Sequence, residues 1–248
     1  MSVDIETLLI ALLLLLAALL YSSVGHGGAS GYIAAMSLLG VAPAVMKPTA
    51  LALNILVSSV ALFKFYRVGS FSWQLFIPLA VTAIPMAYIG GAITLPVNWY
   101  KPLVGCVLVY AAWRSFSTAK SASSYEINPV PIAVLCVVGA VLGLLSGLTG
   151  VGGGIFLSPL LLFFRWAPVK VISGVAAAFI LVNSTAGIFG VMSTNVEFHP
   201  GLPVWALVVL VGGFIGAEYG SKRLANPIIQ RVLGLVLLVA GVKMILTI

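Results

Sequence analysis

The sequence predicts an all-α, polytopic integral membrane protein made of two inverted five-segment repeats, each with a short helix broken by glycines. Of the 248 residues, 62% are hydrophobic and 7% are charged, which is too little polar surface to cover a soluble globule. About 20 apolar residues span the hydrocarbon of a bilayer. Roughly ten stretches of that length or shorter occupy nearly the whole chain, so no room remains for a soluble catalytic domain.

The apolar stretches, and the glycines and prolines between them, define the expected helices. We expect helices at 5–22, 28–40, 48–66, 72–93, 98–116, 130–147, 152–165, 170–192, 202–222 and 227–247. The second and seventh are short, and the sequence leaves open whether they cross the membrane fully or turn back. The polar stretch at 117–129 is expected to be a cytoplasmic linker between a first repeat at 1–116 and a second at 130–248.

The repeat becomes visible when one half of the sequence is shifted by 125 positions onto the other. The matched residues are Gly25, Gly27, Gly28, Pro43, Ala52, Ile55 and Ser59 with Gly150, Gly152, Gly153, Pro168, Ala177, Ile180 and Ser184. Matches among apolar residues are common in such a chain. Glycines and prolines in register are more informative, because each specifies a backbone event.

Basic residues predict that the two repeats have opposite orientations. The loop after the third segment is basic in the first half and not in the second, whereas the loop after the fourth segment is basic only in the second half. The residues expected on the cytoplasmic side are Lys64, Arg67, Lys120, Lys222 and Arg223. Both termini are then outside. Five tryptophans lie near segment ends, as expected for an interfacial belt: Trp73, Trp99, Trp113, Trp166 and Trp205.

One glycine-rich signature occurs in both halves, as Gly25-His26-Gly27-Gly28-Ala29 and as Gly150-Val151-Gly152-Gly153-Gly154. Each run lies inside apolar sequence and predicts a break within the membrane. A helix that begins there directs free N–H groups and its positive dipole end at the break, which favours an anion. Two such ends near the midplane would make an N–H-rich, carbonyl-free pocket for an oxyanion. The alternative is that the glycines only allow close helix packing.

The expected substrate-binding residues combine the two glycine runs with polar groups beside them and on the third helix of each half. They are Ser23, Gly25, His26, Gly27, Gly28, Asn54, Ser58, Ser59, Thr149, Gly150, Gly152, Gly153, Gly154, Asn183 and Ser184. His26 has no counterpart in the second run. It could donate to an anion, titrate and couple transport to protons, or bond a neighbouring carbonyl. The third-helix polar groups could instead join helix to helix.

Three charged residues at segment ends are given structural or peripheral roles. Lys47 could attract anions at the outer mouth or extend its ammonium to the lipid headgroups. Glu218 and Lys222 lie one helical turn apart and are expected to form a structural pair.

Other function classes find little support in the sequence. No paired carboxylates, ligand cluster or nucleophile with a base is present, so neither an enzyme, a cofactor nor a metal site is expected. No nucleotide-binding loop occurs. Cys106 and Cys136 have no paired spacing that would suggest a disulfide or a metal site. The net charge of +7 is placed at segment ends, which indicates lipid and topology rather than nucleic acid.

Several motifs together resemble the TauE/SafE sulfite exporter family, also called the toluene sulfonate uptake permease family. They are the second glycine run with Pro159, the segment ending at Lys170, Asn183-Ser184, the turn 65–73 and the stretch 216–223. The resemblance spans essentially the whole chain. It implies an inner-membrane protein that moves sulfite, organosulfonates or related anions. Ala29 replaces a third glycine, His26 precedes the pair, and Val175-Ala176 replaces a usual Thr-Ser.

The residues and the resemblance together predict a secondary transporter in the cytoplasmic membrane. It would move a small anion, such as sulfite or another sulfur oxyanion, by alternating access, with proton coupling through His26 as an option. The competing interpretation is an anion channel with the same pocket. The expected partners are the anion, the bilayer and protons, and a homo-oligomer is left open.

Overall fold

The computed structural model describes residues 5–117, 127–193, 196–222 and 227–246. Its helices are α1 (Ile5–Ser22), α2 (Ala29–Leu38), α3 (Pro43–Arg67), α4 (Trp73–Ala92), α5 (Val97–Ser117), α6 (Ile132–Thr149), α7 (Gly154–Phe163), α8 (Val169–Met192), α9 (Leu202–Lys222) and α10 (Pro227–Leu246). Within the described ranges, α3, α4, α6, α8 and α9 are long and apolar enough to cross a membrane. The predicted all-α, polytopic fold class is confirmed. Most of the predicted linker, with Lys120 and Arg223, lies outside the described residues.

Every predicted helix is present, and the largest boundary error is at the start of α3. We expected that helix to begin at Pro48, but it begins at Pro43 and carries Pro48 in its interior. Pro43 occupies the first helical position, where a missing N–H costs nothing. Pro48 lies in the second turn, so the helix continues through it with the loss of one backbone hydrogen bond.

The second hairpin, α6 and α7, enters and leaves at the same end of the bundle. The backbone N–H of Asn128, just before α6, donates to the carbonyl of Arg165, just after α7, at 2.9 Å. The Asn128 side chain donates to the carbonyl of Phe164 at 3.0 Å. Since both ends of the hairpin meet there, α7 turns back rather than crossing.

The first hairpin, α1 and α2, has the same form at the other end of α3 and α8. Val41 and Ala42, which follow α2, line one cavity with residues 197–200, which precede α9. Trp205 at the start of α9 donates its indole N–H to the carbonyl of Thr7, near the start of α1, at 3.2 Å. The beginning of α1 and the end of α2 therefore lie at one end of the bundle.

The first helix of each half packs against the fourth helix of the other half, α1 on α9 and α6 on α4. Each contact uses three glycines spaced by four residues. These are Gly212, Gly216 and Gly220 on α9, and Gly139, Gly143 and Gly147 on α6. A Cβ at any of them would collide with a backbone oxygen of the partner helix or, for Gly220, of Ser23 just after α1. The two halves are therefore interlocked by direct backbone packing, in the manner of small residues in membrane bundles.

Helices α3 and α8 form the centre of the molecule. In their most apolar stretches 56% and 67% of the residues are buried, against 33–39% for α4, α6 and α9. They run antiparallel, because Asn54 meets Ser184 while Gly174, near the start of α8, meets Ser70, just after the end of α3. Polar groups at their crossing are consequently held deep in the bundle.

The tryptophans follow the predicted interfacial belt only in part. Trp73, Trp99 and Trp113 are exposed, as an interfacial belt requires. Trp205 is fully buried and stacks on His199 with ring centroids 4.2 Å apart, so it belongs to the core rather than to the belt.

Glu218 forms the expected pair with Lys222 and a second ion pair with Lys64 of α3, at 2.5 Å. Lys64 also lies 4.0 Å above the ring of Phe214 on α9. This network ties the end of α3 to the end of α9, and so joins the two halves.

Candidate functional site

Both predicted helix breaks are present, and left-handed glycines build them. The first occupies residues 23–28, with φ of 77° at Gly25 and 105° at Gly28. The second occupies residues 150–153, with φ of 79°, 83° and 77° at Gly150, Gly152 and Gly153. Side-chain-bearing residues rarely adopt these angles. The glycines therefore serve the backbone of the break and not helix packing alone.

The two breaks approach each other on opposite sides of Asn54. A Cβ at Gly27 would collide with the Asn54 side-chain oxygen, and a Cβ at Gly152 would collide with the Asn54 side-chain nitrogen. The breaks are 125 residues apart in sequence, yet one side chain touches both. The structure thus brings the two glycine runs together at one side chain.

Asn54 uses both ends of its amide. Its Oδ1 accepts a hydrogen bond from the backbone N–H of Ala29, the first residue of α2, at 3.3 Å. Its Nδ2 donates to Oγ of Ser184 on α8 at 2.8 Å. Gly28 at the N-cap position has no side chain to cap α2, so Asn54 supplies the cap from α3. It also fixes the crossing of α3 and α8.

His26 connects the two breaks directly. Its Nδ1 lies 3.1 Å from the carbonyl oxygen of Val24, and its Nε2 lies 3.1 Å from the carbonyl oxygen of Gly154 in the other half. A ring nitrogen that faces a carbonyl must carry a proton to make a hydrogen bond, so only the doubly protonated imidazolium satisfies both contacts. The expectation of a carbonyl-free pocket is wrong at this point, because two carbonyl oxygens face the ring.

Backbone amides in both breaks are unused. In the part of the chain that the structure describes, the N–H groups of Gly27, Gly28, Gly152 and Gly153 donate no hydrogen bond. Helix α7 also lacks a side-chain cap, whereas Asn54 caps α2. The second break is therefore the richer in free donors.

Buried polar side chains without partners gather around this second break. Among the described residues, Oγ of Ser146, Oγ of Ser158 and both amide atoms of Asn183 make no hydrogen bond. Ser146 and Asn183 are fully buried. Ser146 belongs to α6, Ser158 to α7 and Asn183 to α8. An unpaired buried polar atom costs about 1–3 kcal/mol, so four such atoms in one region need an explanation.

Nearby contacts place two of these residues, Ser146 and Asn183, at the break. The Cβ of Ser146 lies 3.4 Å from a Cβ built on Gly153. Asn183 lies one helical turn after Ile180 on α8, and Ile180 contacts Gly152. The sequence predicted Asn183 as a site residue. Ser146 was visible only as a hydroxyl near the glycine run.

The remaining predicted site residues have local roles in the structure. Oγ of Ser23 donates to the carbonyl of Leu20 at 2.7 Å, and Oγ of Ser58 donates to the carbonyl of Asn54 at 2.6 Å. Thr149 accepts the backbone N–H of Val151 at 3.3 Å and so shapes the second break. Ser59 is exposed, bonds the carbonyl of Ile55 at 2.7 Å, and is not brought to the breaks.

Lys47 also lies in this region, although the sequence predicted it at the outer mouth or at the lipid headgroups. It does not extend to the headgroups. It is buried, and its ammonium donates to the carbonyls of Gly90, Gly91 and Ile93 at 3.0–3.2 Å. Its Cγ lies 3.1 Å from a Cβ built on Gly150. The lysine stem therefore packs against the second break.

These features define a multi-pass membrane protein with a polar, glycine-built site in its interior, which is the construction of a membrane transporter. The chain belongs to the sulfite exporter TauE/SafE family, whose model matches residues 10–244.

Similarity to individual proteins supports this membership. A probable membrane transporter protein of Sinorhizobium fredii is 38% identical over 245 residues, which cover 98% of this chain and 99% of that protein. Another from Bacillus subtilis is 25% identical over 89% of this chain and 92% of its own length. A third, from Methanocaldococcus jannaschii, is 24% identical over 76% and 74%. No solved structure matches the chain. The family and these names indicate a membrane transporter rather than an enzyme.

Proposed function

We propose that this protein is a secondary transporter that moves sulfite or a related sulfur oxyanion or organosulfonate across the cytoplasmic membrane. The observation that carries the proposal is the set of unpaired donors around the second break. Free backbone N–H groups at the start of α7 and the unpartnered side chains of Ser146 and Asn183 lie together in the bundle interior. A bound ligand is the simplest partner for them.

The charge and shape of the site favour an oxyanion. Helices α2 and α7 both begin at the breaks, so each turns the positive end of its dipole toward them. Amide N–H and hydroxyl donors approach from three helices, which suits a ligand with several oxygens around one central atom. Sulfite and sulfonates have that shape. The family to which the chain belongs makes sulfur the first choice of central atom.

The predicted inverted repeats supply a route for alternating access. The two hairpins enter from opposite ends of α3 and α8, as oppositely oriented repeats would require. A site at their junction could be reached from either side in turn. We therefore retain the expectation of a carrier with two related halves, working in the cytoplasmic membrane with or without a second copy.

His26 is the candidate for proton coupling. Its contacts with the Val24 and Gly154 carbonyls are both satisfied only when the ring carries two protons. Loss of one proton would weaken the link between the two breaks. Proton binding and the relative position of the hairpins are then coupled through one side chain.

Reconstitution in liposomes tests the proposal. We expect saturable flux of sulfite that is accelerated by sulfite on the opposite side. Sulfate, thiosulfate, taurine and acetate are compared as substrates, and each is also tested for thermal stabilisation of the purified protein. A carboxylate that is transported in place of every sulfur compound would refute the sulfur assignment. Flux that neither saturates nor exchanges would identify a channel.

Two alanine variants link the flux to the breaks. Gly152→Ala places a methyl group against Asn54, whereas Gly40→Ala has the same positive φ with open space around it. Both substitutions strain the backbone, but only the first intrudes on the proposed site. We expect at least a tenfold loss of flux from Gly152→Ala and little loss from Gly40→Ala. Equal effects would show that backbone strain alone is responsible.

A further inference from the structure

We propose that Lys47 is a specificity-determining residue whose positive charge makes the site prefer doubly charged anions over singly charged ones. The inference rests on the proposed anion transport and goes beyond it by assigning the charge that selects the substrate. It starts from the unusual position of this ammonium group, which lies inside the bundle.

The Lys47 ammonium has no carboxylate partner among the described residues. Its three hydrogen bonds go to backbone carbonyls in and just after the last turn of α4. A helix C-terminus carries only about half a negative charge, so a substantial positive charge stays uncompensated. A buried charge of this kind is expensive unless something of opposite sign is nearby. A transported anion would provide it.

The contacts of Lys47 connect this charge to the second break and, through α4, to the helix that carries Asn183. The lysine stem contacts Gly150 in the second break. The ammonium binds the carbonyl of Gly91, and Gly91 packs against Gly187, one helical turn from Asn183 on the same face of α8. One region of the molecule therefore combines an uncompensated cation, free amides and unpaired side chains.

Charge selectivity separates this role from a purely structural one. Coulomb energy scales with the product of the charges, so loss of one positive charge changes log KM twice as much for a dianion as for a monoanion. If Lys47 only held the end of α4, its loss would disturb all substrates equally. The ratio of the two KM values reports on the charge and is insensitive to a general loosening of the site.

The experiment measures KM for one dianion, sulfate, and one monoanion, methanesulfonate, in liposomes. We expect Lys47→Gln to raise KM about tenfold for methanesulfonate and about a hundredfold for sulfate, and Lys47→Arg to keep the wild-type ratio. The control is Lys170→Gln, which removes an exposed lysine from the first turn of α8 and should leave both values unchanged. Equal KM increases for both anions in Lys47→Gln would overturn the proposal.

A second variant, Lys47→His, tests the proposal if Lys47→Gln does not fold. In Lys47→His, acidification restores the positive charge within one folded protein, with the wild type as the pH control. The preference for sulfate should rise on acidification in the variant by more than in the wild type, and an identical pH profile would overturn the proposal. Absence of saturable anion flux in the wild type would instead refute the proposed function itself.

Discussion

Replacing Asn183 by leucine should stabilise the substrate-free protein while abolishing its response to substrate. Asn183 is fully buried, and neither atom of its amide has a partner among the described residues. Each unpaired atom costs about 1–3 kcal/mol. Leucine has the same branching at Cγ and no polar atoms, but its larger volume costs about 1–3 kcal/mol in a packed site. The central values give an expected net gain of about 2 kcal/mol.

Thermal unfolding of the purified protein measures both effects. A gain of 1 kcal/mol corresponds to about 2–4 °C in a chain of this size. Without ligand, Asn183→Leu should unfold at a higher temperature than the wild type. With sulfite, the wild type should gain stability by mass action, and the variant should gain little. Asn183→Leu would then be more stable than the wild type because it lacks a side chain that binds the substrate.

Asn54→Leu is the matched control, because Asn54 is equally buried and fully bonded. Its removal leaves the Ala29 amide and the Ser184 hydroxyl without their partner. We expect a loss of about 1–3 kcal/mol, opposite in sign to the effect at Asn183. The reasoning is refuted if Asn183→Leu is less stable than the wild type and still responds to sulfite, since Asn183 would then be an ordinary bonded core residue.

Three further predictions concern the packing, the ion pairs and the outer loop. Gly143→Ala should cost about 1–3 kcal/mol by forcing α6 away from α4, whereas Val141→Ala on the exposed side should change the unfolding temperature little. Glu218→Gln, which breaks the ion pairs with Lys64 and Lys222, should lower the unfolding temperature only slightly, and that loss should vanish in high salt. Partial burial lowers the pKa of His199 below its usual 6.5. The contribution of His199 to stability is therefore present above about pH 6.5 and falls on acidification. A His199→Phe variant with the same pH profile of unfolding as the wild type would contradict this.

The helices could be predicted from the sequence because their signals are local. Apolar runs set the lengths, and glycine or proline sets the ends, so even the short α2 and α7 were expected within three residues of their true bounds. The start of α3 was predicted wrongly because proline is tolerated in the first turns of a helix as well as at its first residue, so Pro48 did not have to mark the start. The helix begins at Pro43 instead.

The contacts within the site were harder to predict, because they depend on the packing of distant segments. The His26 bond to Gly154 spans 128 positions, and no local pattern encodes it. Ser59 and Ser184 match in the repeat, yet one is exposed and the other is bonded to Asn54. The glycines at 139, 143 and 147 did carry a readable signal, since small residues spaced by four favour close helix contact.

The cross-packing of the halves constrains how the transporter can move. If each repeat rocked as a unit, α6 would have to separate from α4, although its glycines lie directly on the α4 backbone. Gly91 of α4 lies equally close to the backbone of Gly187 on α8, so a motion that keeps all of these contacts moves α4, α6 and α8 together relative to α1 and α9, and turns about α3. A crosslink within a moving group should therefore be harmless, and one between α3 and α9 should stop transport.

Native Cys136 makes the first crosslink simple to build. Thr82 of α4 donates to the Cys136 carbonyl of α6 at 2.7 Å, so a thiol crosslinker between Thr82→Cys and Cys136 should leave sulfite flux above about half of the uncrosslinked level. The same reagent between Lys64→Cys and Glu218→Cys, in a Cys136→Ala background, should reduce flux at least tenfold, because it fixes α3 to α9. Block by the α4–α6 crosslink alone would show that the halves move as intact repeats, since only that motion requires these two helices to part.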